Sequence, residues 1–564
     1  MQTETLSFSK TQTWRRHYAD GVPFKINPLA YHSLVDLFEQ SINKYRLLPA
    51  YECMGTCITF GQLDLLSRNF AAYLQNDLEL SPGTKVAIQM PNLLQYPIAL
   101  FGVLRAGMVV VNTNPLYTPR EMKHQFVDSE TEVVIILANF AHNLEEIIKD
   151  TAIKHVIITE LGDQLRGVKR VIVNKVVKHV KKMVPKYSLP GAVSFNKALK
   201  CGEQHSFQAV SIKGKDTAFL QYTGGTTGIS KGAVLSHTNV VANIEQFTAW
   251  ITSSKLREGK EIIITALPLY HILALVANCL SMLKMGAKNV LIPNPRDMKG
   301  FVKELKKHPF SIFSGVNTLY NGLLNEPDFH KVDFSNLKLC GSGGMAVQTV
   351  TAERWKKVTN VPISEGYGLT ETSPILTFNV LVDGKERIGT IGIPLPSTSL
   401  KIADDNEQEV VDGTPGEIYA KGPQVMHEYF NRPDETSKVF TGDGWFKTGD
   451  IGVKDEDGFF RIVDRKKEMI LVSGFNVYPN EIENIVSQHA KVAEVAAIGV
   501  HDEKSTEAVK IFVVKSDASL TKEEILEHCR KNLTAYKVPK HIEFRDTLPK
   551  SNVGKILRRM LKEE

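Results

Sequence analysis

Tyr222-Thr223-Gly224-Gly225-Thr226-Thr227-Gly228-Ile229-Ser230-Lys231-Gly232 follows a strand-like run, Thr217 to Gln221. Glycines let backbone N–H groups turn inward around phosphate oxygens, hydroxyls add donors, and Lys231 supplies a positive charge. A Walker loop needs Gly, four residues, then Gly-Lys-Ser/Thr; here Lys231 follows Gly228 by three positions and precedes Gly232, which disfavours a conventional P-loop ATPase. Taken alone, a Gly/Thr-rich turn is as readily a plain connection, so the surrounding sequence has to decide.

Working outward, short β-branched runs alternate with longer helical patterns up to about residue 465, as in Lys85 to Gln89, Val109 to Asn112, Glu132 to Leu137 and Lys154 to Thr159. Such alternation predicts parallel α/β layers. Beyond it, a helical pattern over Asn480 to His489, strand-like Val492 to Val500 and Val509 to Val514, and a helix from Thr521 predict a small α+β unit. The expected fold is therefore α/β, with a large N-terminal domain of layered α/β subdomains (1–465) and a small C-terminal α+β domain (466–564), divided at the charged Asp464-Arg465-Lys466-Lys467-Glu468. A length of 564 residues exceeds what one hydrophobic core supports.

The net charge of +6, from 68 basic and 62 acidic residues, falls far short of a dedicated nucleic-acid binder, and none is expected as a partner. Six scattered cysteines, with Cys53 and Cys57 lacking a second pair or a His cluster, predict free thiols in a reducing cytosol. The N-terminus lacks a basic-then-apolar leader pattern, and no apolar run reaches spanning length. From Arg166 to Lys186, eight Lys/Arg and no acid interleave with Ile172, Val173, Val176, Val177, Val180, Met183 and Val184 at helical spacing. That pattern predicts either a helix lying on an anionic membrane surface or a core-packed helix with a solvated basic face.

Further motifs follow in order: Pro268-Leu269-Tyr270-His271, Gly341-Ser342-Gly343-Gly344, Glu365-Gly366-Tyr367-Gly368-Leu369-Thr370-Glu371, Thr448-Gly449-Asp450, Asp464-Arg465-Lys466-Lys467, Ser473-Gly474-Phe475-Asn476-Val477-Tyr478-Pro479, and Pro549-Lys550-Ser551-Asn552-Val553-Gly554-Lys555. Glycines at 341 and 343 would let a flat ring pack against backbone, and a hard carboxylate at 371 suits Mg²⁺. Together these segments resemble, along nearly the whole chain, the adenylate-forming superfamily of acyl-CoA synthetases, luciferases and peptide-synthetase adenylation domains. Asn294-Pro295-Arg296-Asp297 and Gly315-Val316-Asn317-Thr318 add likeness to bacterial long-chain fatty acyl-CoA synthetases.

The resemblance implies ATP-dependent, AMP-forming ligation of long-chain fatty acids to coenzyme A through an acyl-adenylate, supplying β-oxidation and lipid metabolism. By it, Thr223, Gly224, Gly225, Thr226, Thr227, Gly228 and Lys231 hold phosphates, and His271 lines the site. Gly341, Gly343, Glu365, Gly366 and Tyr367 frame adenine, and Thr370 contacts the α-phosphate. Glu371 and Thr226 hold Mg²⁺, Asp450 and Arg465 meet the ribose, and Lys467 is the pivot of a mobile lid. Ser473 and Gly474 belong to the coenzyme A tunnel, and Lys555, with Glu371, Thr226 and Lys231, is catalytic. The chain departs from the family pattern at three positions: Ser230 where Pro commonly precedes the loop lysine, Leu471 where some members carry Lys, and Leu275 where some long-chain members place a gating Trp. The implied setting is cytoplasmic and peripheral to the membrane, with a homodimer as an assembly option. Three rivals stay open: a ligase loading a carrier protein, a ligase for a short or aromatic acid, and a non-enzymatic lipid-binding scaffold.

Overall fold

Val133–Leu137 reads Val-Val-Ile-Ile-Leu and is buried throughout, the mark of a strand covered on both faces. It lies in a seven-stranded sheet ordered Val193–Ser194, His155–Thr159, Val133–Leu137, Lys85–Gln89, Val109–Asn112, Thr217–Tyr222, Gly232–Ser236, parallel except for the last pair. A computed structural model describes residues 13–223, 230–382, 385, 387–502, 505–551 and 554–562. A second sheet of nine strands runs from Ile393–Pro394 to Thr56–Thr59, and its central strands, Leu339–Ser342 and Ile363–Gly368 among them, are parallel. A four-stranded antiparallel sheet follows: Ser399–Ala403, Gly416–Lys421, Phe446–Lys454 and Phe460–Arg465.

Local signals start the helices where the chain leaves these strands. Thr59 with Gln62, Thr118 with Glu121 and Ser236 with Asn239 each form a reciprocal capping box. Helix Gln95–Arg105 is buried along its entire length between layers, so its composition is apolar all round.

One apolar cluster runs from Trp14 to Phe460, and a separate one from Ile470 to Ile542. The second core sits in a five-stranded sheet of Ile470–Val472, Phe475–Val477, Val492–Asp502, Thr506–Lys515 and His541–Arg545, backed by helices Pro479–Ser487 and Lys522–Asn532. The architecture is thus a large α/β body and a small α+β body, as the alternation of patterns predicts.

The basic stretch departs from expectation in two ways. Regular helix covers only Val168–Lys175, then widens to a π turn over Val176–Val180 and ends with Lys182 at φ +51°. None of its residues is buried, and Val168 and Val180 are 71% and 73% exposed, so the core-packed alternative is not what forms. Arg166 and Lys169 tie it to the Cys53–Cys57 turn through the carbonyls of Cys57 and Met54, while Lys175, Lys178, Lys181 and Lys182 remain exposed. Among the described residues no helix is long and apolar enough to cross a membrane.

Candidate active site

Strands Thr217–Tyr222 and Gly232–Ser236 pair antiparallel with Tyr222 opposite Gly232, so the phosphate-type segment is a hairpin loop rather than a strand-to-helix turn. Gly224, Gly225, Thr226, Thr227 and Gly228 lie outside the described residues. The neck of the loop is closed by Thr223 N donating to Lys231 O at 3.0 Å and Ser230 Oγ donating to Thr223 O at 2.5 Å. Ser230 therefore pins by a hydrogen bond the position where the family pattern has a rigid ring. Lys231 is ion-paired with Glu435, whose carboxyl this ammonium and Lys438 hold down at about 2, and its Nζ lies 4.9 Å from the Tyr429 ring centre.

Gly341 pairs with Ser364 and Ser342 with Glu365 in parallel register, which sets the two glycine-bearing motifs side by side at one end of the nine-stranded sheet. A Cβ on Gly366 would stand 2.5 Å from the Phe378 ring, so that position has no room for a side chain unless the ring moves, and one on Gly343 would stand 3.2 Å from Leu273, a tight fit that a small shift of the leucine relieves. Gly341 is looser, with Phe378 3.8 Å from a notional Cβ. Glu365 is buried and accepts from Val347 N at 2.9 Å; it braces the loop beyond Gly344 instead of presenting its charge to the cleft, and burial raises its carboxyl to about 7.

The next strand ends converge on Asp450. Asp450 and Arg465 are directly opposite in antiparallel register, Arg465 Nε lies 2.7 Å from Asp450 Oδ1, and the Tyr367 hydroxyl donates to Oδ2 at 2.7 Å. Burial raises the Asp450 carboxyl, and the Arg465 guanidinium opposes that rise. Thr370 opens the short turn Thr370–Thr372, and the neighbouring Glu371 Oε1 accepts from the Tyr429 hydroxyl at 2.6 Å. Among the described residues no hydrogen bond reaches its other oxygen. That one hard donor fits Mg²⁺, which takes most of its shell from phosphates and water.

The small body reaches this cleft through Lys555. Gly554, at φ +81°, is pressed so closely onto the large body that a Cβ would stand 2.2 Å from Thr318 Oγ1. Desolvation lowers the Lys555 ammonium, Arg465 lowers it further, and Glu468 and Asp450 oppose. Burial, helped by Lys555, pushes His271 down to about 4, so the imidazole is neutral near pH 7 and its Nδ1 accepts from Leu273 N at 3.4 Å. Lys467 is exposed, and Ser473 and Gly474 form an exposed turn between Ile470–Val472 and Phe475–Val477, where among the described residues nothing lies within 4 Å of a Cβ on Gly474.

Lys555, Asp450, Arg465, Tyr367 and His271, drawn from five separate motifs, thus form one cluster. Tyr429 and Glu435, which hold Glu371 and Lys231, were not among the expected residues. The only local cue near them is Pro433, which opens the helix Pro433–Val439.

Residues 38–430 match the family described as AMP-binding enzyme, and residues 481–555 match the AMP-binding enzyme C-terminal domain. A long-chain-fatty-acid–CoA ligase of Escherichia coli O6:H1 is 56% identical over 553 residues, covering 98% of each chain. The protein of that name from Bacillus subtilis (strain 168) is 36% identical over 557 residues, again with 98% of each chain covered. Among solved structures, the anthranilate CoA ligase AuaEII in complex with anthranoyl-AMP aligns with a TM-score of 0.83 at 25% identity, over 95% of this chain and 98% of that one. ATP-bound MatB from Rhodopseudomonas palustris gives 0.79 at 26% identity, over 94% and 98%. With the catalytic-body model spanning most of the chain and its companion reaching Lys555, the protein belongs to the family of AMP-binding enzymes.

Proposed function

We infer that the protein is an AMP-forming long-chain fatty acid:CoA ligase. The observation that carries the reading is the seating of Lys555, from one body, against Asp450, Arg465 and His271 of the other. In this reading Lys555 is the cation that meets the negative charge developing as a fatty carboxylate attacks the α-phosphorus of ATP and pyrophosphate leaves. No side-chain nucleophile is required; positioning and electrostatic stabilisation suffice. His271, neutral and held by Leu273, shapes the cleft without trading protons. Mg²⁺, held by Glu371 and Thr226, would supply neutralisation of phosphate charge. Asp450 and Arg465 orient the ribose, and Tyr367 stacks on adenine.

In the second half-reaction the coenzyme A thiol attacks the acyl carbonyl and AMP leaves. The thiol needs an approach that Lys555 obstructs, so residues 466–564 rotate as a lid about Lys467 and bring Ser473 and Gly474 to a tunnel for the pantetheine arm. The likeness in sequence to long-chain ligases of several bacteria supports a long acyl substrate. Each buried methylene contributes about 0.8 kcal/mol, so long chains are favoured strongly while neighbouring lengths differ only several-fold. The exposed basic segment from Arg166 to Lys186 is a seat for anionic lipid, which would make the enzyme peripheral to a membrane.

ATP, Mg²⁺ and coenzyme A supplied with palmitate, octanoate, acetate or benzoate, each in a separate reaction, test this directly. Palmitoyl-CoA with matching AMP and pyrophosphate is expected. AMP without thioester would replace the reading by a carrier-loading ligase, preference for benzoate or acetate would overturn the substrate class, and no AMP from any acid would leave only binding.

A further inference from the structure

Asp464 ends the large body: it lies in strand Phe460–Arg465, opposite Ile451, with its side chain 0% exposed. Its Oδ1 accepts from Arg465 N at 2.7 Å, and its two remaining contacts cross to the small body. Asn480 N donates to Oδ2 at 2.8 Å, and Arg558 Nη1 donates to Oδ1 at 3.3 Å. The Asn480 amide returns the link by donating to Val463 O at 3.3 Å.

Arg558 is built for this position. Nε and Nη2 donate to Glu483 at 3.0 and 2.8 Å, Nη2 also to Asn480 Oδ1 at 2.6 Å, and Nη1 pairs with Glu468 as well as with Asp464. The five N–H groups of a guanidinium are thereby used up. Four of the five contacts go to residues that follow Lys467 in the chain, and only Asp464 precedes it. Arg558 also lies three residues beyond Lys555, on the turn fixed by Ser551 N to Lys555 O at 2.7 Å and Leu557 N to Pro549 O at 2.9 Å.

We propose that Asp464 is a positioning residue that weights the enzyme toward the arrangement with Lys555 in the cleft, by being the one carboxylate of the large body in the guanidinium cluster of the small one. This rests on the reading of Lys467 as pivot and Lys555 as the adenylation cation. Rotation at Lys467 carries Glu468, Asn480, Glu483 and Arg558 together and leaves Asp464 with its strand. A buried carboxylate then loses its charged partner and one N–H donor, which is costly in a site closed to water. The adenylating arrangement is the one that keeps those bonds, and the thioester-forming one has to break them.

The test is Asp464→Asn, which keeps the shape and removes the charge, read in two half-reactions with the full-length enzyme. Palmitate-dependent ATP–pyrophosphate exchange should fall about tenfold, the size expected for a charged hydrogen bond. Conversion of supplied palmitoyl-adenylate and coenzyme A to thioester should hold or rise. Equal loss in both half-reactions, or undiminished exchange, would overturn the proposal. If the variant melts well below wild type, Arg558→Lys decides instead: it keeps a cation but removes the guanidinium that donates to Asp464 from the other side, and must shift the two rates in the same sense. Failure of wild type to exchange pyrophosphate, or of Lys555→Ala to reduce exchange, would instead fall on the functional reading and not on Asp464.

Discussion

Lys555 shows how little a single residue says until its neighbours are known. Near a chain end, a lysine is ordinarily a solvated charge, yet here Gly554 is wedged against Thr318 and the ammonium feels Arg465, Asp450 and Glu468. Its motif made it legible. Lys555→Ala should slow adenylation by about 10²- to 10³-fold, the usual loss when one preorganised charge-stabilising donor is removed. Single-turnover release of pyrophosphate checks this, and an unchanged rate would remove Lys555 from the chemistry. Tyr429 and Glu435 were not legible, because what defines them is a pairing across the fold: Glu435 meets Lys231 from 204 positions away, and no local spacing encodes that. Glu365 adds a contact its motif does not announce, since its buried carboxylate accepts from the backbone of Val347.

At the scale of elements, the buried strands were readable from their continuous β-branched runs, and several helix starts agree with their capping residues. Turn chemistry alone did not reveal that the phosphate segment closes a hairpin, because Gly and Thr suit either a strand or a helix beyond the loop; the register of Tyr222 with Gly232 settles it. The basic segment is the clearest case of an element whose two readings only exposure could separate. Helix Val168–Lys175 and its π extension bury nothing, and Val168, Ile172, Val180 and Met183 are exposed beside the lysines. Apolar side chains next to cations suit an anionic lipid surface, where each lysine contributes about 1 kcal/mol. Replacing Lys175, Lys178, Lys181 and Lys182 with Gln should weaken sedimentation with phosphatidylserine-containing vesicles by well over tenfold while leaving palmitate activation in detergent unchanged. Unaltered vesicle binding would eliminate the lipid seat.

Across the whole molecule, two bodies with separate cores meet at one cleft, and the change of body between Phe460 and Ile470 falls beside the charged segment that the sequence singles out. The large body also carries a built-in acid sensitivity. His237 is buried, its Nδ1 accepts from Leu34 N at 3.2 Å, and burial pushes it from 6.5 to about 4. Below pH 6.5 the unfolded chain takes up a proton that the folded chain refuses until about pH 4, so this group's stabilisation is complete above 6.5 and is lost as pH falls through that window. Melting temperatures between pH 7 and 4 should therefore decline less steeply in His237→Gln than in wild type; parallel curves would contradict the assignment.

The central claim is that a fatty carboxylate oxygen attacks the α-phosphorus of ATP. Palmitate labelled with ¹⁸O in its carboxyl group, turned over with ATP and coenzyme A, traces that oxygen by mass spectrometry of the products. One label in the phosphate of AMP and none in pyrophosphate is the expected result, because the bond formed to phosphorus is not the one broken when the thioester forms. Unlabelled AMP, or label in orthophosphate, would contradict the account.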